Sequence, residues 1–219
     1  MKRVYIVVEG QTEQEFVRSV LYPYFSTKGV ISVTPILIRT SKTGRGGHVN
    51  SLHLLNTIKA LLDTMKDDVV ITTFVDYFRI PNNMPEYGEC MLLGNDTLRA
   101  NAMEAALSRK LNDTRFVPYI QLHEFEALLF SNNKGFEEYF SSDQSSKTAA
   151  IISDFANPED INSSPDTAPS KRILALEKGY DKVIQGNLIA MGVGIDDMLA
   201  KCPRFCSWVS RIIEMAKDV

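Results

Sequence analysis

Cysteine is scarce. Cys90, Cys202 and Cys206 are too few for a disulfide framework in 219 residues, and their odd number favours a reducing compartment. Cys202 and Cys206 lack the neighbouring His or Cys pair that a zinc site needs. No apolar run approaches the roughly 20 residues of a membrane helix. No signal-peptide pattern opens the chain, so a cytoplasmic protein is expected. An excess of positive charge is missing too: 24 Lys and Arg stand against 27 Asp and Glu, for a net charge of −3. A protein that coats nucleic acid carries a basic face, so that class is excluded, whereas an enzyme with a local basic patch is not. There is no internal repeat, no low-complexity tract and no Walker pattern for a nucleotide P-loop.

Apolar residues make up 44% of the chain, enough for a full core. Residues 3–8 are mostly β-branched and read as a buried strand. A helix follows to about Tyr24, with Thr12 and Glu15 in a T-x-x-E capping pattern and Phe16, Val17, Val20, Leu21 and Tyr24 on one face. Ile31 to Ile38 reads as a second strand and Ser51 to Met65 as a helix. Val69 to Val75 is the most continuous apolar run and a third strand. Residues 77–94 read as a long loop. Asp96 to Leu111 is a helix and Phe116 to Gln121 a fourth strand. The order β-α-β-α-β-α-β predicts an α/β fold, a mainly parallel sheet of about four strands with helices on both faces. From His123 onward short helices are expected over 123–131, 134–140, 145–155, 170–178, 182–191 and 203–217. The chain divides into a core over 1–122 and a helical extension over 123–219, packed together because no flexible linker separates them.

The chemistry collects at strand ends. Glu9 stops the first strand and Asp76 the third. In a parallel sheet both ends lie on one rim, where α/β proteins keep their ligands. Glu13 sits in the first turn of the following helix. Three carboxylates there suit a hard divalent cation, Mg²⁺ or Mn²⁺, which takes one or two carboxylates plus phosphate oxygens. The bland alternative is that each acid is a solvent-facing loop starter and that Glu13 complements a helix dipole. Acids after strands one and three also mark phospho-acceptor receiver domains, a shorter class that usually pairs two acids after its first strand.

Val8-Glu9-Gly10-Gln11-Thr12-Glu13, followed by Thr73-Phe74-Val75-Asp76-Tyr77-Phe78, resembles the Toprim domain of topoisomerases, primases and overcoming-lysogenization-defect nucleases. With Leu122-His123-Glu124-Phe125-Glu126-Ala127-Leu128-Leu129-Phe130 and the stretch from Ser164-Pro165 to Pro169-Ser170-Lys171-Arg172, the chain over nearly its full length resembles a Toprim-like bacterial family, domain of unknown function 4276. The resemblance implies that Glu9 is a metal ligand or general acid/base and that Asp76 is the first acid of an Asp-x-Asp pair. Phe78 stands where the second acid belongs. A substitute would come from Glu13, from Glu86 or Glu89, or from Glu124 or Glu126; without one, phosphate would be bound and not cut. Some relatives resemble effector nucleases that work beside an ATPase in phage defence.

The cations supply the phosphate side. Arg39 to His48 is a basic, glycine-bearing loop on the same rim, from which Lys42 and Arg45 are the candidates for phosphate contact. Ser170-Lys171-Arg172 opens a helix. Lys171 is the candidate to neutralise charge on a scissile phosphate, with Arg172 a further phosphate contact. The expectation is a Mg²⁺- or Mn²⁺-dependent nuclease acting on DNA or RNA, with an AAA- or ABC-type ATPase as a partner and a homodimer as a further assembly. Its rival is a non-catalytic module that docks the ATPase.

Overall fold

The computed structural model describes residues 2–38, 50–66, 68–161, 164 and 166–217. Strand β1 (Arg3–Val8) is central. It pairs in parallel with β2 (Val33–Leu37) on one side and with β3 (Val69–Asp76) on the other. Beyond β3 lie β4 (Phe116–Val117) and β5 (Ile120–Gln121), also parallel to it. The expected fourth strand is thus split in two, with Pro118 and Tyr119 at the break. Proline has no N–H to give a ladder, and Thr73 Oγ1 stands in, accepting from Tyr119 N at 2.8 Å and donating to Tyr119 O at 2.8 Å. All described pairings are parallel and the order is β2-β1-β3-β4, the α/β architecture expected.

Period-two alternation fills both faces. Val4, Ile6 and Val8 of β1, with Val70 and Phe74 of β3, face one apolar cluster; Val7, Val69, Ile71 and Val75 face the other. The first cluster is covered by α1 (Gln11–Phe16), a π-helical turn (Val17–Leu21), α2 (Tyr22–Thr27) and helices late in the chain. The second is covered by α3 (Ser51–Thr64), α4 (Tyr87–Met91) and α5 (Asp96–Leu111). Residues 77–94, expected as loop, therefore contain a short helix. Along the free edge of β2 the missing N–H of Pro35 points outward, since Ile38 N bonds to Val8 O and backbone direction alternates. That placement blunts the edge against further strands.

The first helix departs from the sequence pattern. It starts at Gln11, and its cap is Gly10, whose N–H donates to Glu13 Oε2 at 2.9 Å; Thr12 and Glu15 are not the capping pair. The π turn comes immediately before Pro23, and Tyr22 N bonds to Val17 O across it. Widening the turn is how a helix passes a residue that lacks an N–H and crowds the preceding carbonyls.

From residue 123 the chain is short helices: a 3₁₀ helix (Phe125–Ser131), α6 (Lys134–Tyr139), α7 (Ser142–Asp154), a 3₁₀ turn (Pro158–Asp160), α8 (Pro169–Leu176), α9 (Gln185–Val193), α10 (Ile195–Lys201) and α11 (Pro203–Lys217). Helix α7 begins earlier than expected because Ser141 caps it, and α9 begins later because 181–184 form a turn first, in which Asp181 Oδ1 accepts from Ile184 N at 2.8 Å. The separate α10 was not foreseen; Gly194, at φ 82, ends α9 and lets it turn off. Helices α6 and α9 touch backbone to backbone: a Cβ on Gly135 would stand 2.2 Å from Ile189 O.

Trp208 of α11 ties this region to the sheet. Its ring stacks on Tyr119 at 4.5 Å and on Phe74 at 5.4 Å, and its Nε1 donates to Thr72 Oγ1 at 2.8 Å. Thr72 Oγ1 in turn donates to Val117 O at 2.5 Å. Thr72→Val keeps the shape and orphans the buried Trp208 N–H, so a loss of about 2 kcal/mol is expected. An unchanged urea midpoint would show that this relay contributes nothing.

Candidate metal centre

The chain leaves β1, adds β2 at one side, then crosses back to place β3 at the other, so strand order reverses between β1 and β3. The crevice outside the carboxyl ends at such a switch point is where open parallel sheets bind ligands. Val8 pairs with Phe74, so Glu9 and Asp76 leave their strands side by side at that crevice. Both are half-buried.

A second segment is drawn over the same end. Tyr77 N bonds to Gln121 O and Phe78 N to His123 O, both at 2.8 Å, and Phe125 N donates to Asp76 Oδ1 at 3.0 Å. His123 takes the left-handed conformation at φ 64 to make this turn, a strained choice for a non-glycine residue. The turn carries Glu124 and Glu126 inward, 5% and 1% exposed. Glu13, 9% exposed, is aimed by its hold on Gly10 N. Where a second acid was sought, the Phe78 backbone is instead the peg for this strap. His123 is buried beside it, and desolvation lowers its pKa; it packs as a structural residue.

Five acids thus act on one another. Burial first, then the charges of Glu13, Glu9, Glu126 and Glu124, hold the Asp76 carboxyl well above the usual range. Burial and the Glu13 charge push Glu9 up to about 8. Burial raises Glu13 and Glu126 as well, against the backbone hydrogen bonds of Glu13 and the Lys182 charge beside Glu126. Glu9 has no hydrogen-bond or ion-pair partner among the described residues.

One cation enters the cluster, and it is not among those expected. Lys182 Nζ lies 2.9 Å from Glu126 Oε1 and 3.6 Å from Glu124 Oε1. Glu126 Oε1 counts as engaged on this distance, although no aligned hydrogen bond reaches it. Burial pulls the Lys182 amine down, the carboxylates push it up, and the net shift is upward. Asp181 fixes the residue's place, since its Oδ1 accepts from Ile184 N at 2.8 Å across the turn before α9 and its own N–H donates to Gln185 Oε1 at 2.7 Å. An Asp at a helix start with Gln four residues on was the available signal. Nothing in the sequence separated Lys182 from the other lysines.

The expected cations sit differently. Lys171 is exposed on the first turn of α8. The end of that helix is already satisfied: Ser170 N donates to Glu124 Oε2 at 3.0 Å. Arg172 donates from Nε to Thr167 O at 2.9 Å and covers the Phe155 ring at 5.3 Å, which is structural work. Glu86 is paired with Arg109, and Glu89 is exposed; neither is among the charges acting on Asp76. Lys42 and Arg45 lie outside the described residues.

As donors, five carboxylates are the hard oxygen set that Mg²⁺ or Mn²⁺ takes. Among the described residues no three His, Cys, Asp or Glu side chains form a ready cage, so loading a cation requires carboxylate rotamers to turn. Among the described residues no helix is long and apolar enough to cross a membrane.

The comparisons agree with this architecture. The family model described as a domain of unknown function, DUF4276, matches residues 8–213. The chain belongs to the DUF4276 family. It is also similar in structure to the C-terminal region of the Xanthomonas campestris pv. campestris OLD protein, at 15% identity over 98% of this chain and 92% of that one, with a TM-score of 0.51. The C-terminal region of the Burkholderia pseudomallei OLD protein aligns over 99% of this chain and 97% of that one, at 16% identity and a TM-score of 0.49. At such identities the likeness is one of fold. No curated protein matches the chain.

Proposed function

We propose that this DUF4276 protein is a Toprim-like, Mg²⁺- or Mn²⁺-dependent phosphodiesterase acting on nucleic acid. The observation that carries the reading is the convergence of Glu9, Glu13, Asp76, Glu124 and Glu126 at the switch point, where burial first and neighbouring negative charge next raise the pKa of four of them. A site of this kind is incomplete without a multivalent cation. Glu9 and Asp76, from adjacent strand ends, are the central ligands, and Glu13, Glu124 and Glu126 complete the shell. When bound, the cation would supply Lewis-acid polarisation of a phosphoryl oxygen and a water acidified toward neutral pH. Lys182 is the residue to hold the phosphate: its flexible stem is half-exposed, and its ammonium is released from Glu126 and Glu124 once those carboxylates turn to the metal. Lys171 stays at the rim as a second phosphate contact. Likeness of fold to the OLD C-terminal regions supports the reading.

The test is cleavage of DNA and RNA, single- and double-stranded, in Mg²⁺, in Mn²⁺ and in EDTA. Cation-dependent cleavage is expected, and Lys182→Met should slow it about 100-fold, as removal of a charge-stabilising donor does. No cleavage of any substrate in either cation would remove the enzymatic reading. Phe78 at the position of the missing acid, and the lack of a ready cage among the described residues, favour one alternative, a non-catalytic module that docks an ATPase in a phage-defence assembly. Capture of an AAA- or ABC-type ATPase by an inactive chain would support it. A homodimer and a cytoplasmic setting belong to the same proposal.

A further inference from the structure

Three buried polar atoms around the acidic site, His123 Nδ1, Asn187 Oδ1 and Tyr180 Oη, have no hydrogen-bond partner among the described residues. Of these, the Tyr180 hydroxyl belongs to a residue 7% exposed and is a donor. Space for it depends on Gly186: a Cβ there would stand 2.6 Å from Tyr180 Oη and 3.5 Å from Phe125 Cε1. The phenol therefore lies between the first turn of α9 and the 3₁₀ helix that bears Glu126. Burial, with the charges of Glu126 and Glu124 next, holds its proton on, so it is a fixed donor.

Four of the five carboxylates already have donors of their own, Glu9 being the exception among the described residues. Glu126 has Lys182, Glu124 has Ser170 N and Lys182, Asp76 has Phe125 N, and Glu13 has Gly10 N. The Tyr180 hydroxyl is left over. A buried donor without an acceptor costs stability, and a ligand oxygen that accepted from it would remove that cost. We infer that Tyr180 is a substrate-positioning residue, whose Oη donates to a non-bridging phosphoryl oxygen of the bound phosphodiester. This rests on the phosphodiesterase reading above. The surrounding acids repel an anion, so the contact forms only when the divalent cation is present.

The probe is dimethyl phosphate, the smallest phosphodiester, followed by the ³¹P relaxation that protein-bound Mn²⁺ induces in it. Mn²⁺ affinity is measured separately by calorimetry. Tyr180→Phe is expected to cut the relaxation enhancement at least five-fold while leaving Mn²⁺ affinity within two-fold of wild type. Its Tm should be equal or higher, because only an unpaired oxygen is removed. Gly186→Ala, which forces the hydroxyl aside and leaves the phenol in the chain, should produce the same loss. Undiminished relaxation in Tyr180→Phe overturns the inference. So does a matching loss of Mn²⁺ affinity, which would make Tyr180 a support for the carboxylates. A wild-type protein that binds no Mn²⁺ removes the phosphodiesterase reading and this inference with it. A wild type that binds Mn²⁺ and relaxes the probe without regard to Tyr180 removes this inference alone.

Discussion

Glu9→Gln is expected to abolish cation-dependent cleavage, by about 10³-fold or more, while leaving the metal-free protein as stable as wild type or more so. The two halves of that result have one cause. Glu9 makes no hydrogen bond or ion pair with the described residues, and burial together with the Glu13 charge makes its ionised form costly. Folding therefore gains nothing from the negative charge at position 9. A residue that the fold resists and the crevice nevertheless holds is a candidate for work done with a ligand. A neutral amide of the same shape relieves the repulsion and forfeits a ligand oxygen. Loss of a ligand at a catalytic metal removes several kcal/mol of charge stabilisation, and about 4 kcal/mol corresponds to the stated factor. Asp76→Asn should behave alike in activity. Its side-chain oxygen can still accept from Phe125 N, so the strap over the strand end survives. Cleavage assays beside thermal unfolding separate these effects. Retained activity in both variants would mean that the acids at the strand ends are bystanders.

How far such a site can be read from sequence depends on which forces bring its parts together. Glu9 and Asp76 were legible because a strand end is a local event: an apolar run stops on a charge, and parallel topology puts the stops on one rim. Glu124 and Glu126 were legible as candidates only, since their inward aim comes from the left-handed turn at His123 and from two backbone bonds to Tyr77 and Phe78. No residue type in that stretch announces a positive φ. Lys182 was invisible, because it reaches the acids through tertiary placement of a capped helix more than 50 residues later. Arg172 shows the converse: a cation in a first turn looks free until its neighbours are known, and here its Nε donates to Thr167 O and its guanidinium covers the Phe155 ring. The helices were read well where apolar spacing is regular, as over Asp96–Leu111, and poorly where a cap or a preceding turn decides the end, as at Ser141 and over 181–184.

The acidic cluster also makes stability depend on pH in an unusual direction. Most carboxylates in folded proteins are held below their ordinary pKa, so raising the pH past 5 helps or does nothing. Here Glu9, Glu13, Asp76 and Glu126 are all held above it. The folded state then binds more protons than the unfolded one at pH values between the ordinary carboxylate range and the raised pKa. By linkage, the stability contribution is complete below the unfolded pKa and is lost as pH climbs through the folded one, about 8 for Glu9. His123 works oppositely, because desolvation lowers its pKa, but its effect ends near the ordinary histidine range. Between pH 7 and 9 the acids dominate. In EDTA the Tm should therefore fall by a few °C across that interval. Saturating Mn²⁺ should reverse the fall, since a cation and a proton compete for the same oxygens: at 100 times its Kd a ligand adds about 2.7 kcal/mol, or roughly 5–10 °C for a chain of this size. The gain should be larger at pH 9 than at pH 7, and Glu9→Gln should flatten both the pH slope and the response to Mn²⁺. Unfolding scans at the two pH values, with EDTA and with Mn²⁺, decide it. A Tm indifferent to pH and to Mn²⁺ would mean that the five carboxylates neither repel one another nor share an ion.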